Sequence, residues 1–435
     1  MEAHGKGLAL AVISLAALAY LWFVHRFGVN VPFKDEWAMV SLDRLLAHGQ
    51  LSLGALWAQH NENRMLFPNL LMLVLDHFSH FNTKVEMYGS AVLLLGALAL
   101  TGLLYWCTAG RSLLWFVPAA LLILSWAQYA VTLQGFAIAL YLVLLCLAVS
   151  LLALAGAESR GWMFGVAVAA AVIASYSSAQ GLAVWAAGLV FLAARGQSRA
   201  RVSTWLGAGL VTSAVYWIGF QWSATGGGVR WAVGHPGSSA KFLLLLSGGT
   251  ISPAHALGIG TTVQALIGAI LLLVGLAAFA CWRWRRSTGE WLALPLALIA
   301  FGVLVDVLIT LGRAHYGIQE ATSPRYTVFN LWLFGGVWLA GAAMLLRSPR
   351  RAARPALAIL ALLCALQILG AYHAGLIDGR TTYNLRQQEV PLILNYPTAP
   401  PSKVVNLVYA PYSGFEQLSA FLAHHHLSVF YRPGG

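Results

Sequence analysis

Two adjacent carboxylic acids follow the first apolar run of the 435-residue chain, in the stretch FKDEW at residues 33–37. An aspartate directly before a helix can cap its free N–H groups, and Glu36 in the first turn would suit the helix dipole. A carboxylate at the edge of a membrane can also take a proton from a hydroxyl group. The two interpretations are compatible, so Asp35 is the first candidate for a catalytic residue, with Glu36 beside it.

A second polar group precedes an apolar stretch, in QHNENRMLFP at residues 59–68. Amide, imidazole and guanidinium groups offer the many directional hydrogen bonds that sugar or phosphate recognition requires. The candidate binding residues are His60, Asn61, Glu62 and Arg64. His60 or Glu62 could also join Asp35 around a divalent cation such as Mg²⁺ or Mn²⁺. The alternative is an ordinary polar loop that caps the next helix.

A third group, GRAHYGIQEATSPRYTVFN at residues 312–330, lies between two apolar runs and contains two arginines. Guanidinium groups bind phosphate oxygens through two parallel hydrogen bonds, so Arg313 and Arg325 suit the phosphate of a polyprenyl lipid. The alternative is that both arginines reach to lipid headgroups. The candidate binding residues are Arg313, His315, Glu320, Arg325 and Tyr326.

Asp306 lies within an apolar run, and a carboxylate inside a membrane is a functional candidate. Arg313 follows two helical turns later on the same face and could pair with it. Weaker candidates for lining a cavity are Gln134, the stretch YSSAQ at 176–180, His235 and His255. The run His424–His426 cannot place three side chains on one helix face, so a solvated turn is favoured over a metal site.

The elements that must position these residues are membrane helices. The chain is 59% hydrophobic and 9% charged, which is typical of a polytopic membrane protein. Eleven apolar runs approach the length of about 20 residues that a spanning helix needs. They cover residues 8–27, 87–107, 112–131, 136–156, 161–177, 181–195, 202–220, 259–280, 291–311, 327–346 and 355–372. A twelfth stretch, 240–252, is short and interrupted by glycines. The prediction is an all-α polytopic fold with about 11 transmembrane helices.

The distribution of basic residues predicts the orientation of these helices. With the N-terminus in the cytoplasm, the inner loops carry 13 Lys and Arg residues against three acids. The net charge of +12 is therefore mainly a topology signal, which favours anionic membrane lipids rather than nucleic acid as partners. The first run is expected to remain as an uncleaved anchor. None of the four cysteines lies in an outer loop, so no disulfide framework is expected.

Two outer segments are long enough to build a site. Residues 28–86 form the first outer loop, in which amphipathic helices are predicted at 36–48 and 64–78, suited to the membrane interface. Residues 373–435 form a short outer tail with a helical pattern near 414–426. The predicted organisation is a transmembrane domain over 1–372 followed by that tail.

This layout resembles the GT-C class of integral-membrane glycosyltransferases, which use polyprenyl-phosphate-linked sugars. The resemblance rests on the many spans, the helical first outer loop and the acidic motif in FKDEW, with QHNENR and SPRY as shorter likenesses. It implies a bacterial inner-membrane enzyme in which Asp35 deprotonates an acceptor hydroxyl while Arg313 and Arg325 hold the lipid phosphate. The expected acceptor is a cell-envelope glycan or lipid on the periplasmic side, and the expected outcome is inversion. The short tail argues against transfer to protein asparagine.

Two other classes of function stay open at the level of sequence. A transporter or flippase for a lipid-linked or small polar substrate would use Asp306 and Arg313 as a gate. A scaffold of an envelope complex would need neither Asp35 nor Asp306.

Overall fold

The computed structural model of the protein describes residues 2–109, 112–221, 228–251, 260–284, 289–348, 353–405, 407–408 and 412–432. Within these ranges nearly all of the chain is helical, and the sheet structure is a two-stranded antiparallel hairpin of β1 (Gln59–His60) and β2 (Asn63–Arg64). The predicted all-α polytopic membrane fold is confirmed.

The helices are numbered in chain order. The first ten are α1 (Glu2–Phe27), α2 (Glu36–Ala47), α3 (Leu53–Trp57), α4 (Leu66–Ser79), α5 (Thr83–Ala109), α6 (Val117–Ile123), α7 (Tyr129–Thr132), α8 (Ile138–Gly156), α9 (Trp162–Ser175) and α10 (Ala183–Ala194). The next nine are α11 (Arg199–Trp217), α12 (Val229–Gly234), α13 (Pro236–Ser247), α14 (Thr261–Trp284), α15 (Gly289–Arg313), α16 (Thr327–Leu346), α17 (Ala353–Leu394), α18 (Pro401–Val404) and α19 (Tyr412–His424).

Eight stretches of the described chain are long and apolar enough to cross a membrane. They are His4–Phe27, Thr83–Thr108, Leu113–Thr132, Gly135–Gly156, Thr261–Trp284, Glu290–Tyr316, Pro324–Leu346 and Ala353–Leu394. The other three predicted spans correspond to α9, α10 and α11. Because a helix rises about 1.5 Å per residue, α9 and α10 with 14 and 12 residues are shorter than the bilayer core. Helix α11 has 19 residues but begins with the polar sequence RARVST.

The short piece predicted at 240–252 is α13, a half-length helix that ends among the spanning helices. A helix end leaves carbonyl groups without partners, and such groups are costly to bury. Here amide side chains from neighbouring helices satisfy them. Gln264 Nε2 donates to the Leu245 carbonyl at 2.8 Å, and Asn330 Nδ2 donates to the Leu246 carbonyl at 2.6 Å.

The first outer loop and the tail fold together into one layer. The predicted helices at 36–48 and 64–78 appear as α2 and α4, and α2 packs against both α4 and α19. The rings of Trp37 and Phe415 lie 5.3 Å apart, within an apolar cluster to which both segments contribute. Helix α17 continues through position 372 without a break. The loop that carries FKDEW is therefore held from the other side by the tail.

The opposite ends of several helices carry basic residues in short connections. Arg195 Nε lies 3.0 Å from Glu158 Oε1, and Arg201 Nη2 donates to the Ala157 carbonyl at 3.0 Å. These contacts join α8, α10 and α11 at the end that the basic residues predict to be cytoplasmic.

The predicted orientation can be tested by labelling introduced cysteines in spheroplasts. A membrane-impermeant maleimide should label Gln50→Cys, in the loop after α2, before lysis, and Ser159→Cys, in the loop after α8, only after lysis. Both positions are exposed. The parent protein, with its four native cysteines, gives the background. The opposite pattern would contradict a cytoplasmic N-terminus.

Candidate functional site

A cavity of about 190 Å³ lies where the first outer loop meets the ends of the spanning helices. Its polar lining comes from the loop, from the turn between α7 and α8, from the turn before α10 and from the region that joins α15 to α16. These residues are Asp35, His60, Asn61, Glu62, Asn63, Gln134, Ser177, Ser178, Gln180, Arg313, Arg325 and Tyr326. Three separately predicted groups of polar residues therefore converge on one site.

Asp35 is the residue before α2, but its side chain does not cap that helix. The capping interpretation of Asp35 is wrong, because the carboxylate turns towards the hairpin. Its Oδ1 lies 3.0 Å from His60 Nε2, and both side chains are about one-quarter exposed. The carboxylate thus has one side-chain partner and an open face towards the cavity.

The carboxylate of Glu36, the next residue, accepts hydrogen bonds from two backbone N–H groups. Its Oε2 accepts a hydrogen bond from the Phe33 N–H at 2.7 Å, and its Oε1 accepts from the Phe136 N–H at 3.1 Å. Burial raises the pKa of Glu36 to about 7, against the effect of these backbone donors. Glu36 lies behind the cavity wall and is not part of its lining. It ties the start of α2 to the turn before α8.

The turn before Asp35 has an unusual backbone. Lys34 adopts a left-handed conformation with φ of 51°, which is uncommon for a residue with a side chain. Its N–H donates to the Leu407 carbonyl at 2.7 Å, so the tail holds this conformation in place. The position of Asp35 therefore depends on a segment near the other end of the chain.

The hairpin β1–β2 presents its turn residues to the cavity and anchors itself through Arg64. This side chain is 4% exposed and points away from the cavity. It donates to the carbonyl groups of Trp57 at 3.2 Å, Ile218 at 2.8 Å and Tyr216 at 3.4 Å. Arg64 was predicted as a binding residue. In the structure it closes the carbonyl end of α11 and fixes the hairpin there.

Asn63, which was not predicted as a site residue, links the hairpin to the turn before α10. Its Oδ1 accepts from Ser178 Oγ at 3.0 Å and from the Ala179 N–H at 2.9 Å. Asn63 and Ser178 both lie in polar stretches of the sequence that contain predicted site residues, which could have identified them. The sequence does not indicate, however, that these two stretches meet in the fold.

Each arginine of the cavity is paired with a carboxylate. Arg313 donates to Glu62 of the hairpin turn. Arg325 donates to Glu320, and its Nη2 also lies 3.0 Å from the Tyr326 hydroxyl, which donates to Glu320 Oε1 at 2.6 Å. Glu320 itself stands behind Arg325 and does not line the cavity.

The suggested pairing of Asp306 with Arg313 is not formed. Asp306 is fully buried, and its Oδ2 accepts from Ser247 Oγ at 2.6 Å, at the end of α13. The other predicted residue in this region, His315, stacks on Tyr316 with ring centroids 3.9 Å apart and is not part of the cavity lining.

Some of the weaker candidates also line the cavity, and others do not. Gln134 and the polar residues of 177–180 line the cavity. His235 instead stacks on Trp231 with ring centroids 4.4 Å apart, and His255 lies outside the described residues. In the described part of the chain, no group of three or more His, Cys, Asp and Glu side chains is arranged to hold a metal ion. Binding of Mg²⁺ or Mn²⁺ near Asp35 stays a prediction.

Comparison with protein-family models and with curated proteins gives no match. Among solved structures, the chain is similar to the crystal structure of ArnT from Cupriavidus metallidurans bound to undecaprenyl phosphate. The identity is 15%, the match covers 97% of this chain and 77% of that chain, and the TM-score is 0.46. This is a distant similarity of overall fold. At this identity and TM-score, the similarity transfers no activity, substrate or site residue to the protein.

The anchoring role of Arg64 can be tested by thermal unfolding in detergent. Arg64→Ala leaves three carbonyl groups, one buried and two partly buried, without their donor, so a loss of about 2 kcal/mol in unfolding free energy is expected. Arg160→Ala, at an exposed position, is the control and should unfold like the parent. An unchanged melting temperature for Arg64→Ala would show that the hairpin is held by other contacts.

Proposed function

We propose that the protein is a membrane glycosyltransferase that moves a sugar from a polyprenyl phosphate to a hydroxyl of a cell-envelope glycan or lipid, on the periplasmic side of the inner membrane. The observation that carries the proposal is the composition of one cavity. A partly exposed aspartate and two arginines line it together, at the ends of membrane-spanning helices.

Asp35 is the proposed general base. Its carboxylate can accept the proton of the acceptor hydroxyl as that oxygen forms a bond to the anomeric carbon of the sugar. The bond between the anomeric carbon and the phosphate oxygen breaks in the same step, and its electron pair stays on the lipid phosphate. A single displacement of this kind inverts the anomeric centre. The contact with His60 keeps the Asp35 side chain in one orientation.

Arg313 and Arg325 are the proposed phosphate ligands. The charge on the leaving phosphate increases as the glycosidic bond breaks, and guanidinium groups stabilise such charge through paired hydrogen bonds. A phosphate leaves more readily than an alkoxide, so this scheme needs no second carboxylic acid to protonate it.

The rest of the lining suits a lipid substrate. Apolar side chains from the spanning segments also line the cavity, among them Val131, Leu140, Leu308 and Phe329. The polar groups come from the first outer loop and from the ends and turns of the helices. A cavity lined by both kinds of side chain fits a molecule with a charged head and an apolar chain, since each part meets matching groups.

The paired state of the arginines has a consequence for binding. A phosphate that binds Arg313 must replace or share the contact with Glu62, and one that binds Arg325 must do the same with Glu320. The two glutamates therefore act as competitors for the phosphate position. Removing the charge of one should strengthen binding of the lipid phosphate.

The general-base assignment can be tested with purified protein, a polyprenyl-phosphate sugar and envelope acceptor extracts. Asp35→Asn keeps the shape of the side chain but removes the proton acceptor, so the transfer rate should fall by about 10²- to 10⁴-fold. Asp306→Asn is the matched control and should retain transfer. The reverse result would favour the transporter alternative, and a chelator in the parent reaction tests the need for a divalent cation.

The phosphate ligands can be tested by binding of undecaprenyl phosphate without any acceptor. Arg325→Ala should weaken binding by about tenfold or more, because a charged hydrogen bond is lost. Glu320→Gln should tighten it several-fold. Lys241→Ala, which removes an exposed positive charge on α13, is the control. Equal affinities for all four proteins would contradict a phosphate site at Arg325.

A further inference from the structure

Three carboxylic acids are buried near the cavity, and none of them is part of its lining. Glu36 begins α2, Asp76 lies in the last turn of α4, and Glu86 lies in the first turn of α5. Each is only 1% exposed. Glu36 is accounted for by the backbone N–H groups that it accepts from, whereas Asp76 and Glu86 have no part in the proposed chemistry.

Asp76 and Glu86 have no ordinary hydrogen-bond donors. None of their four side-chain oxygens accepts from an N–H or O–H group in the described part of the protein. The two groups lie on helices that are joined by a short turn and pack together, and each carboxyl group can form a hydrogen bond with the other once one carries a proton. Two ionised carboxylates this close in a dry interior repel each other, and one shared proton turns the repulsion into a hydrogen bond.

Gly135 connects this pair to the cavity. A Cβ atom built on Gly135 would lie 1.9 Å from Glu86 Oε2 and 3.0 Å from Glu36 Oε1, so only a glycine lets the backbone pass between these groups. Its neighbours Gln134 and Phe136 line the cavity. Glu86 of the pair therefore lies against the backbone of the cavity wall, one residue from side chains that line the cavity with Asp35.

We propose that Asp76 and Glu86 share one retained proton at neutral pH, and that this proton holds α4 and α5 against the Gly135 wall behind Asp35. The proposal rests on the proposed function only for the chemical role of Asp35. The proton, and the stability that it provides, can be measured without any glycosyl transfer.

The surroundings favour retention of a proton. The charged or titratable groups around the pair are Asp43 and Glu36 on α2, His77 on α4 and Arg386 on α17. Burial raises the pKa of Asp76 to about 8, and the negative charges of Asp43 and Glu36 contribute to this rise. Arg386 acts on Glu36 and His77 acts on Asp43. Lys84, although close in sequence to Glu86, points to the His25 carbonyl at 2.7 Å.

The raised pKa of the buried carboxyl group determines the sign of the pH dependence of stability. A carboxyl group whose pKa is higher in the folded than in the unfolded protein binds more protons when folded. Its contribution to stability is present at acid pH and is lost as the pH rises through the folded pKa. The protein should therefore become less stable between about pH 6 and pH 9.

The experiment is thermal unfolding of the full-length protein in detergent over that pH range. The melting temperature of the parent should fall by several degrees towards alkaline pH. Asp76→Asn supplies an amide donor that cannot be titrated, so its melting temperature should fall less. Glu86→Gln should behave in the same way. Glu290→Gln, at an exposed position on α15, is the control and should keep the slope of the parent.

Three further measurements test the proposal, and the first and the third use only the parent protein, so they do not depend on a variant that folds. The infrared spectrum of the parent should show a protonated, buried carboxyl group at pH 7, and its absence would overturn the proposal. At alkaline pH, peptides covering 28–47 and 129–140 should exchange hydrogen faster in the parent than in Asp76→Asn. Stabilisation of the parent by added Mg²⁺, Mn²⁺ or Ca²⁺ at alkaline pH would mean that the pair binds a cation in place of the proton.

Discussion

The site depends on one constraint, which is that helices ending in or beside an apolar layer must have their free backbone groups satisfied. Backbone N–H groups of the following turn supply many of these partners, and side chains supply several others. Arg64 closes the carbonyl end of α11, and Asn330 closes that of α13. Gln128 donates to the Ile123 and Ser125 carbonyls, where α6 ends. Arg64 also fixes the hairpin whose turn lines the cavity, so at this point the same contacts satisfy the backbone and position the site.

The two acids of FKDEW show how this constraint divides chemically similar residues. Glu36 is buried and accepts two backbone N–H groups, from its own turn and from the turn before α8. The first N–H groups of α2 bond to the carbonyl groups of the turn at 33–35 rather than to a side chain, so the Asp35 carboxylate is left for His60 and the cavity. A single aspartate could not do both, because a carboxylate that caps a helix is turned towards the helix axis rather than towards a ligand. The pair is useful because its members differ in environment.

Much of this could be predicted from sequence because it follows from local patterns. The apolar runs, the helices at 36–48 and 64–78 and the polar stretches that line the cavity are all visible in the order of residues. What could not be predicted depends on distant contacts. The direction of Arg64 requires the end of α11, and the burial of Asp76 and Glu86 requires the packing of α2, α4 and α5. The pairing of Asp306 with Arg313 that the sequence suggested is not formed, because Asp306 accepts from Ser247 at the end of α13 and Arg313 pairs with Glu62 of the hairpin.

The pairing of both cavity arginines bears on which ligands the proposed site would accept. A guanidinium group at the edge of a low-dielectric layer is costly without a counter-charge, so Glu62 and Glu320 lower the cost of keeping Arg313 and Arg325 there. The same glutamates oppose weakly held anions, since a ligand must offer more than one carboxylate does. A phosphate ester offers several oxygens and a greater charge, and a polyprenyl chain adds apolar contacts with the spanning helices. If the proposed function is correct, selectivity for such a lipid would follow from the balance between these contacts, without a larger or more basic pocket.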